Sequence, residues 1–202
     1  MARPRDKNKQ MMNRERLLEA GEQAFRETSF SESGINDILS SSGVPKGSFY
    51  HHFLSKEAFG IAVADRYNET QITAARACLE DPSLPHIDRV CSFFERARED
   101  MGKRQFAQGC LMCNLSTELA DERPAFQAAL DTHWQGMTAV LAECLNNVDL
   151  SEIGLEHLTP AQAADWLMNA WSGALTRMKA SGNDEPLALF MRTIFKTKER
   201  QQ

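Results

Sequence analysis

The sequence predicts an all-α protein that consists of an N-terminal three-helix domain with a helix-turn-helix and a larger helical bundle. Two short apolar helical segments meet at a glycine and proline turn between residues 35 and 53. Beyond residue 56, apolar side chains recur at helical spacing, with no alternating strand pattern. The net charge of −5 divides unequally, with +2 on residues 1–56 and −7 on residues 57–202.

The first helix of the motif is predicted from the spacing of Ile35, Ile38 and Leu39, which places these side chains on one face. Ser33 is predicted to cap this helix through its hydroxyl. Gly43 ends the helix, because a sharp turn needs the left-handed conformation that glycine adopts easily.

The second helix is predicted to begin at about Lys46, directly after Pro45, whose fixed φ suits a first helical turn. Val44 is expected to enter the core between the helices. Phe49 and Phe53 lie four residues apart on one face and are predicted to be packing residues. The remaining surface carries Lys46, Gly47, Ser48, Tyr50, His51 and His52.

Gly47 weakens a helix, so its presence suggests that a phosphate or a base edge approaches the backbone there. Ser55 is predicted to cap a third helix, and Lys56 beside the free N–H groups of that helix forms a natural phosphate anchor. Helix-turn-helix geometry also occurs in proteins that bind no nucleic acid. From spacing alone, a helical interaction module without DNA binding therefore remains an alternative.

The segment from Arg14 to Glu57 resembles the DNA-binding domain of TetR-type transcriptional regulators, most specifically in the run 49–57, FYHHFLSKE. The resemblance implies a DNA-binding domain at residues 1–55 and an effector-binding, dimerising domain at 56–202. It implies that the following residues face DNA: Lys46, Gly47, Ser48, Tyr50 and His51. It also implies that Ser33 and Lys56 hold phosphates, and that Gly34, where the family often has a hydroxyl residue, would contact one through its N–H.

Basic residues crowd the start of the chain: Arg3, Arg5, Lys7, Lys9, Arg14 and Arg16. They could track a phosphate backbone or enter a minor groove, although a solvated basic tail explains any one of them equally well. The sequence contains no apolar stretch of about twenty residues and no signal-peptide pattern at its start. We therefore expect a soluble, cytoplasmic protein.

The C-terminal part is predicted to hold six helices, at about 56–80, 87–101, 110–120, 124–147, 159–180 and 185–198, with a loop at 146–158. The last two are apolar around much of their circumference, so they must bury both faces. In TetR-type proteins the corresponding helices form a dimeric four-helix bundle. The resemblance thus implies a homodimer, whose two-fold symmetry suits a palindromic site with half-sites about 34 Å apart.

The middle helices are predicted to enclose an effector pocket. Candidates to line it are Tyr67, Phe93, Phe94, Met101, Cys113, Asn114, Trp134, Met137, Trp171 and Met178. For each of these taken singly, plain core packing is the commoner role. Asn114 and Glu118 are polar groups in an apolar helix and need partners, either a ligand or neighbouring backbone.

Cys110 is the candidate sensor among five cysteines that should be reduced in the cytoplasm. It follows Gly109 at a predicted helix N-terminus, which favours a thiolate, and Cys113 lies one turn away as a possible resolving partner. Arg177 and Lys179 are candidate thiolate partners. An inert core thiol remains an alternative; zinc is disfavoured because a second Cys-x-x-Cys pair is absent.

The sequence around Cys110 resembles the C-terminal domain of the TetR branch that includes reactive-electrophile and acrylate-responsive regulators. The prediction is therefore a repressor that binds a palindromic operator as a dimer and is released by a small molecule or by cysteine modification. The effector would swing the DNA-reading helices through the long helix that starts at Lys56. No enzyme, metal or cofactor is predicted, since no catalytic triad, carboxylate pair or phosphate loop is present.

Overall fold

The computed structural model describes residues 7–196, and all the regular structure in that range is helical. The α-helices are α1 (Lys7–Glu27), α2 (Ile35–Ser42), α3 (Lys46–His52), α4 (Lys56–Leu79), α5 (His86–Lys103), α6 (Leu111–Leu119), α7 (Pro124–Leu145), α8 (Pro160–Ser181) and α9 (Glu185–Phe195). This confirms the all-α prediction. No helix in this part of the chain is long and apolar enough to cross a bilayer. Arg3 and Arg5 lie outside the described residues.

The turn between α2 and α3 has the predicted geometry. Gly43 is left-handed at φ 63°, and its N–H donates to the Leu39 carbonyl at 3.0 Å. Val44 is buried, and Pro45 occupies the N-cap position of α3. The predicted Ser33 cap is wrong: Gly34 precedes α2, and α2 has no side-chain cap hydrogen bond.

The ring of Phe59 in α4 joins the N-terminal helices to the long helix. It lies 4.9 Å from the Phe53 ring, 5.2 Å from Phe49 and 5.9 Å from Phe25, measured between centroids. A Cβ at Gly21 would lie only 2.4 Å from a Phe59 ring atom, so glycine permits this close approach of α1. The start of α4 is thus part of the N-terminal core.

The N-terminal core continues into α6 and α7, because the same apolar cluster contains Leu115 and Phe126. The Phe30 ring, in the α1–α2 loop, meets the Phe126 ring edge to face at 5.0 Å between centroids. The packing shows no gap at residue 55, so the predicted boundary between the two domains there stays a prediction. Motion of the three N-terminal helices must act against this apolar contact.

The second core lies among α4, α5, α7, α8 and α9. Phe94, Trp171 and Phe190 form its aromatic centre, with centroids 4.9 to 5.2 Å apart. The predicted loop at 146–158 is partly wrong, because Leu150–Ile153 forms a 3₁₀ turn. Leu150 and Ile153 are buried, and apolar groups three residues apart share one face of such a turn.

Candidate DNA-binding surface and thiol pocket

Helix α3 presents a polar face to solvent. Lys46, Gly47 and His51 are exposed, and Tyr50 is 52% exposed. The Tyr50 ring lies edge-on to the buried Phe49 ring at 5.3 Å between centroids, which holds the phenol at the surface. A helix of this kind can place donors and an aromatic edge in a major groove.

Gly47 has no packing role in the fold. A Cβ built at this position meets nothing within 4 Å, and its φ is not positive. Intramolecular packing and backbone conformation therefore leave the choice of glycine unexplained. This supports the prediction that an external group approaches the backbone here.

Three other predicted DNA-contacting side chains have partners inside the protein. Ser33 is 5% exposed and donates to the Ser29 carbonyl, so its hydroxyl stabilises the α1–α2 loop. Lys56 Nζ donates to the Ser31 carbonyl at 3.1 Å, and burial lowers the pKa of this ammonium. Ser48 Oγ accepts from Asn13 Nδ2 at 3.4 Å. A phosphate contact by Lys56 or by the Ser33 hydroxyl would compete with these bonds.

A cavity of about 90 Å³ lies between α4, α5, α7 and α8 and against the start of α6. Six predicted candidates line it: Tyr67, Phe93, Met101, Trp134, Met137 and Trp171. Phe94 and Met178 are fully buried in the core and do not line it, which corrects the prediction for these two. Cys113 and Asn114 instead line a neighbouring cleft of about 150 Å³, and Cys110 borders both spaces.

Polar side chains in the cavity wall were not predicted: Asn68, Gln71, Asp100, His133 and Ser172. The sequence held one signal, since Gln71 lies four residues after Tyr67 and so shares its face of α4. His133 is buried, and its Nε2 lies 2.8 Å from Asp65 Oδ1. The cavity can therefore accept a mainly apolar molecule with a polar group.

Cys110 is the N-cap residue of α6, which agrees with its predicted position at the start of a helix. The hydrogen bond from the Cys113 thiol, assisted by the Cys113 and Met112 N–H groups and the Tyr67 hydroxyl, outweighs burial and lowers the pKa of Cys110 to about 6. The same contact raises the pKa of Cys113. The contact with Cys113 therefore favours the thiolate form of Cys110, with Cys113 as the thiol donor.

The two basic residues predicted beside Cys110 behave differently. Lys179 borders the same cleft as Cys110, and its Nζ donates to Asn114 Oδ1 at 3.1 Å. Arg177 lies in a separate groove on the outer face of α8 and α9. Lys179 thus stays a candidate thiolate partner, whereas the location of Arg177 contradicts that role.

Glu118 connects the other end of α6 to the N-terminal domain. Its carboxylate accepts from the backbone N–H of Phe30 at 3.1 Å and from that of Ser31 at 2.7 Å. Backbone, rather than a ligand, is therefore the partner of this polar group. Helix α6 begins at the thiolate and ends on the loop that leads into the helix-turn-helix.

An exposed helix-turn-helix and an internal cavity, joined by packed helices, are the parts of a ligand-responsive DNA-binding regulator. Residues 17–63 match the family model described as bacterial regulatory proteins of the tetR family. Residues 86–194 match the one described as the tetracyclin repressor-like C-terminal domain. The chain belongs to the TetR family of transcriptional regulators, whose members bind DNA operators as dimers, respond to small molecules and are not enzymes.

Relatives with similarity over most of the chain support this assignment. The transcriptional repressor DhaR of Mycobacterium sp. (strain GP1) is 35% identical over 184 residues, which cover 90% of each chain. The transcriptional repressor NemR of Escherichia coli K12 is 32% identical over 86% of this chain and 87% of NemR. A crystal structure titled regulatory protein TetR from Rhodobacter sphaeroides has a TM-score of 0.82 and 30% identity, covering 90% of this chain and 96% of that one.

Proposed function

We propose that this regulator is a dimeric repressor that contacts a palindromic operator through α3. It leaves the operator when a small molecule fills the cavity or when Cys110 is modified. The polar face of α3 carries the DNA-binding part of the proposal, because Lys46, Gly47, Tyr50 and His51 are exposed to solvent there. Repression follows from the similarity to the repressors DhaR and NemR.

Lys46 and Tyr50 are the side chains that we expect to contribute most to the DNA contact. Both are exposed at the surface of α3, and Phe49 behind them is fully buried. The double variant Lys46→Ala with Tyr50→Ala should abolish specific binding to a palindrome from its own promoter, while size-exclusion chromatography still shows a dimer. Unchanged binding by the variant would contradict the proposal.

The outer faces of α8 and α9 are the proposed dimer interface. Trp166 is 43% exposed and Leu189 is 55% exposed, although both are large apolar side chains. They flank a groove that also contains Ala170, Gly173 and Ala174. Small residues let a second pair of helices approach closely, and pairing would cover the exposed tryptophan and leucine.

The effector is proposed to be a small molecule. The cavity of about 90 Å³ is smaller than the ~150 Å³ cavity that accepts the six carbon atoms of benzene, so without rearrangement it holds about four non-hydrogen atoms. Cys110 borders this space, and its lowered pKa favours the thiolate, so an electrophile of that size would be positioned for attack. This supports modification of Cys110 as one route to operator release.

The thiol route is tested by treating the protein with a mild electrophile and measuring operator release by fluorescence anisotropy. Wild-type protein should lose at least about tenfold in affinity, a coupling of roughly 1.4 kcal/mol, whereas Cys110→Ser should be unaffected. Cys91→Ser, which changes a partly buried thiol of α5, is the matched control and should respond like wild type. Equal responses of wild type and Cys110→Ser would exclude Cys110 as the switch.

A further inference from the structure

The guanidinium of Arg26 is a buried charge that none of the roles above uses. Arg26 lies in the last turn of α1 and is 8% exposed. Its Nη2 donates to Glu22 Oε1 at 2.9 Å, but Nη1 is buried and has no hydrogen-bond partner within residues 7–196. A charged group of the N-terminal domain is thus only partly compensated by its own helix.

Arg26 faces Tyr67 of α4 across the domain junction. Its guanidinium carbon lies 4.9 Å from the centroid of the Tyr67 ring, within cation–π range. The Tyr67 hydroxyl lies 3.6 Å from Cys110 Sγ. One aromatic side chain therefore separates the guanidinium from the sulfur.

The charges on either side of Tyr67 are opposite. Burial disfavours the Arg26 charge, but Tyr67, Glu22 and the negative charge of Cys110 outweigh it and raise the pKa of Arg26. Burial raises the pKa of Tyr67 well above its ordinary value, so its hydroxyl stays protonated and donates to the thiolate.

We propose that Arg26 is the counter-charge of the Cys110 thiolate and couples the charge on this sulfur to α1 of the DNA-binding domain. The inference rests on the proposed cysteine switch. Two other basic groups lie near the thiol: Arg104 pairs with the Asp100 carboxylate at 3.1 Å, and Lys179 Nζ donates to the neutral amide oxygen of Asn114. Arg26 differs from both because, besides its bond to Glu22, it has a buried nitrogen without a hydrogen-bond partner in residues 7–196, and because it lies against the ring whose hydroxyl contacts Cys110 Sγ.

Modification of the thiolate removes the charge that Arg26 compensates. With an alkene conjugated to a carbonyl, Sγ forms a bond to the terminal alkene carbon, and the π pair moves to the carbon beside the carbonyl, which takes a proton from water. The product is a neutral thioether. A buried guanidinium with less compensation favours an arrangement that brings it to solvent, and this requires movement of the end of α1.

Movement of α1 would reach the DNA-reading helix directly. Helix α1 packs on α2 and α3, and Asn13 donates to Ser48 of α3. Glu22 stays compensated without Arg26, because Arg66 Nη1 lies 3.0 Å from its carboxylate. Arg26→Met should therefore fold, as it replaces the charge with an apolar side chain and leaves no unpaired carboxylate.

The test measures the pH dependence of Cys110 alkylation by iodoacetamide, resolved by peptide mass spectrometry, in wild type, Arg26→Met and Arg26→Lys. Arg26→Met should raise the pH at which the rate is half-maximal by about one unit. Arg26→Lys keeps the positive charge, so its midpoint should stay close to that of wild type. Arg76→Met, which removes an exposed guanidinium of α4, should leave the profile unchanged. An unshifted profile in Arg26→Met would overturn the counter-charge.

The coupling is tested on a palindromic operator with the same proteins, before and after alkylation by a small enone. Wild type should lose at least about tenfold in affinity, whereas Arg26→Met should lose less than about threefold because no counter-charge is disturbed. Equal losses would overturn the coupling. If alkylated wild type keeps its affinity, the cysteine switch and the coupling both fail, while the alkylation profile still decides whether Arg26 is the counter-charge.

Discussion

Replacement of Glu118 by glutamine should weaken the connection between α6 and the N-terminal domain. The glutamine oxygen can accept from one N–H only, and its amide nitrogen would face the other donor. The Ser31 amide is exposed and can bond to water, but the Phe30 amide is only partly accessible. We therefore expect a loss of about 1–2 kcal/mol in unfolding free energy, below the sum for two lost charged hydrogen bonds.

Urea unfolding at pH 7 measures this loss, with Glu122→Gln as a control because Glu122 is exposed in the turn after α6. Burial raises the pKa of Glu118, but the bonds from residues 30 and 31 outweigh it and hold the pKa below 4.5. The carboxylate thus stabilises the fold above pH 4.5, and the difference between wild type and variant should shrink as pH falls below that value. At pH 7, the unfolding free energy of Glu118→Gln should fall clearly more than that of Glu122→Gln. If the two losses agree within about 0.5 kcal/mol, the size of an ordinary surface effect, the reasoning is refuted.

Three further changes test other parts of the structure. Gly47→Ala should leave the unfolding free energy unchanged or raise it by up to about 0.5–1 kcal/mol, but it should weaken operator binding by at least about tenfold. Unchanged binding would contradict a close approach of DNA to this backbone. Gly60→Ala should cost about 1–3 kcal/mol in urea unfolding, because its Cβ would lie 2.5 Å from Phe30 and 2.7 Å from Phe126; an unchanged midpoint would contradict this tight junction. The alkylation rate of Cys110 should reach half its maximum near pH 6, whereas a midpoint near 9 would contradict a stabilised thiolate.

The local elements were predictable because their causes lie within a few residues. Gly43 supplied the left-handed turn, and Phe49 and Phe53 supplied the buried face of α3. The Thr159 cap of α8 is likewise a short-range bond, to the Gln162 N–H. Such signals also placed Cys110 at the start of α6, so the candidate thiol could be identified from the sequence.

The contacts between domains could not be predicted, because they join residues far apart in the chain. Glu118 meets Phe30 across 88 positions, and Arg26 meets Tyr67 through packing of α1 on α4. Periodicity shows which face of a helix is apolar, but it does not identify the partner of a polar group. The same limit explains Lys56, whose internal partner at Ser31 the phosphate prediction did not foresee.

The most direct test of the account is a salt-resolved titration of a palindromic duplex from its own promoter with reduced protein and with protein alkylated at Cys110. For reduced protein, the logarithm of affinity should fall linearly with the logarithm of salt concentration, by about 0.9 per phosphate contacted. Alkylation should lower the affinity at every salt concentration by at least about tenfold. Binding that is independent of salt, or identical for reduced and alkylated protein, would contradict a DNA-binding regulator controlled at Cys110.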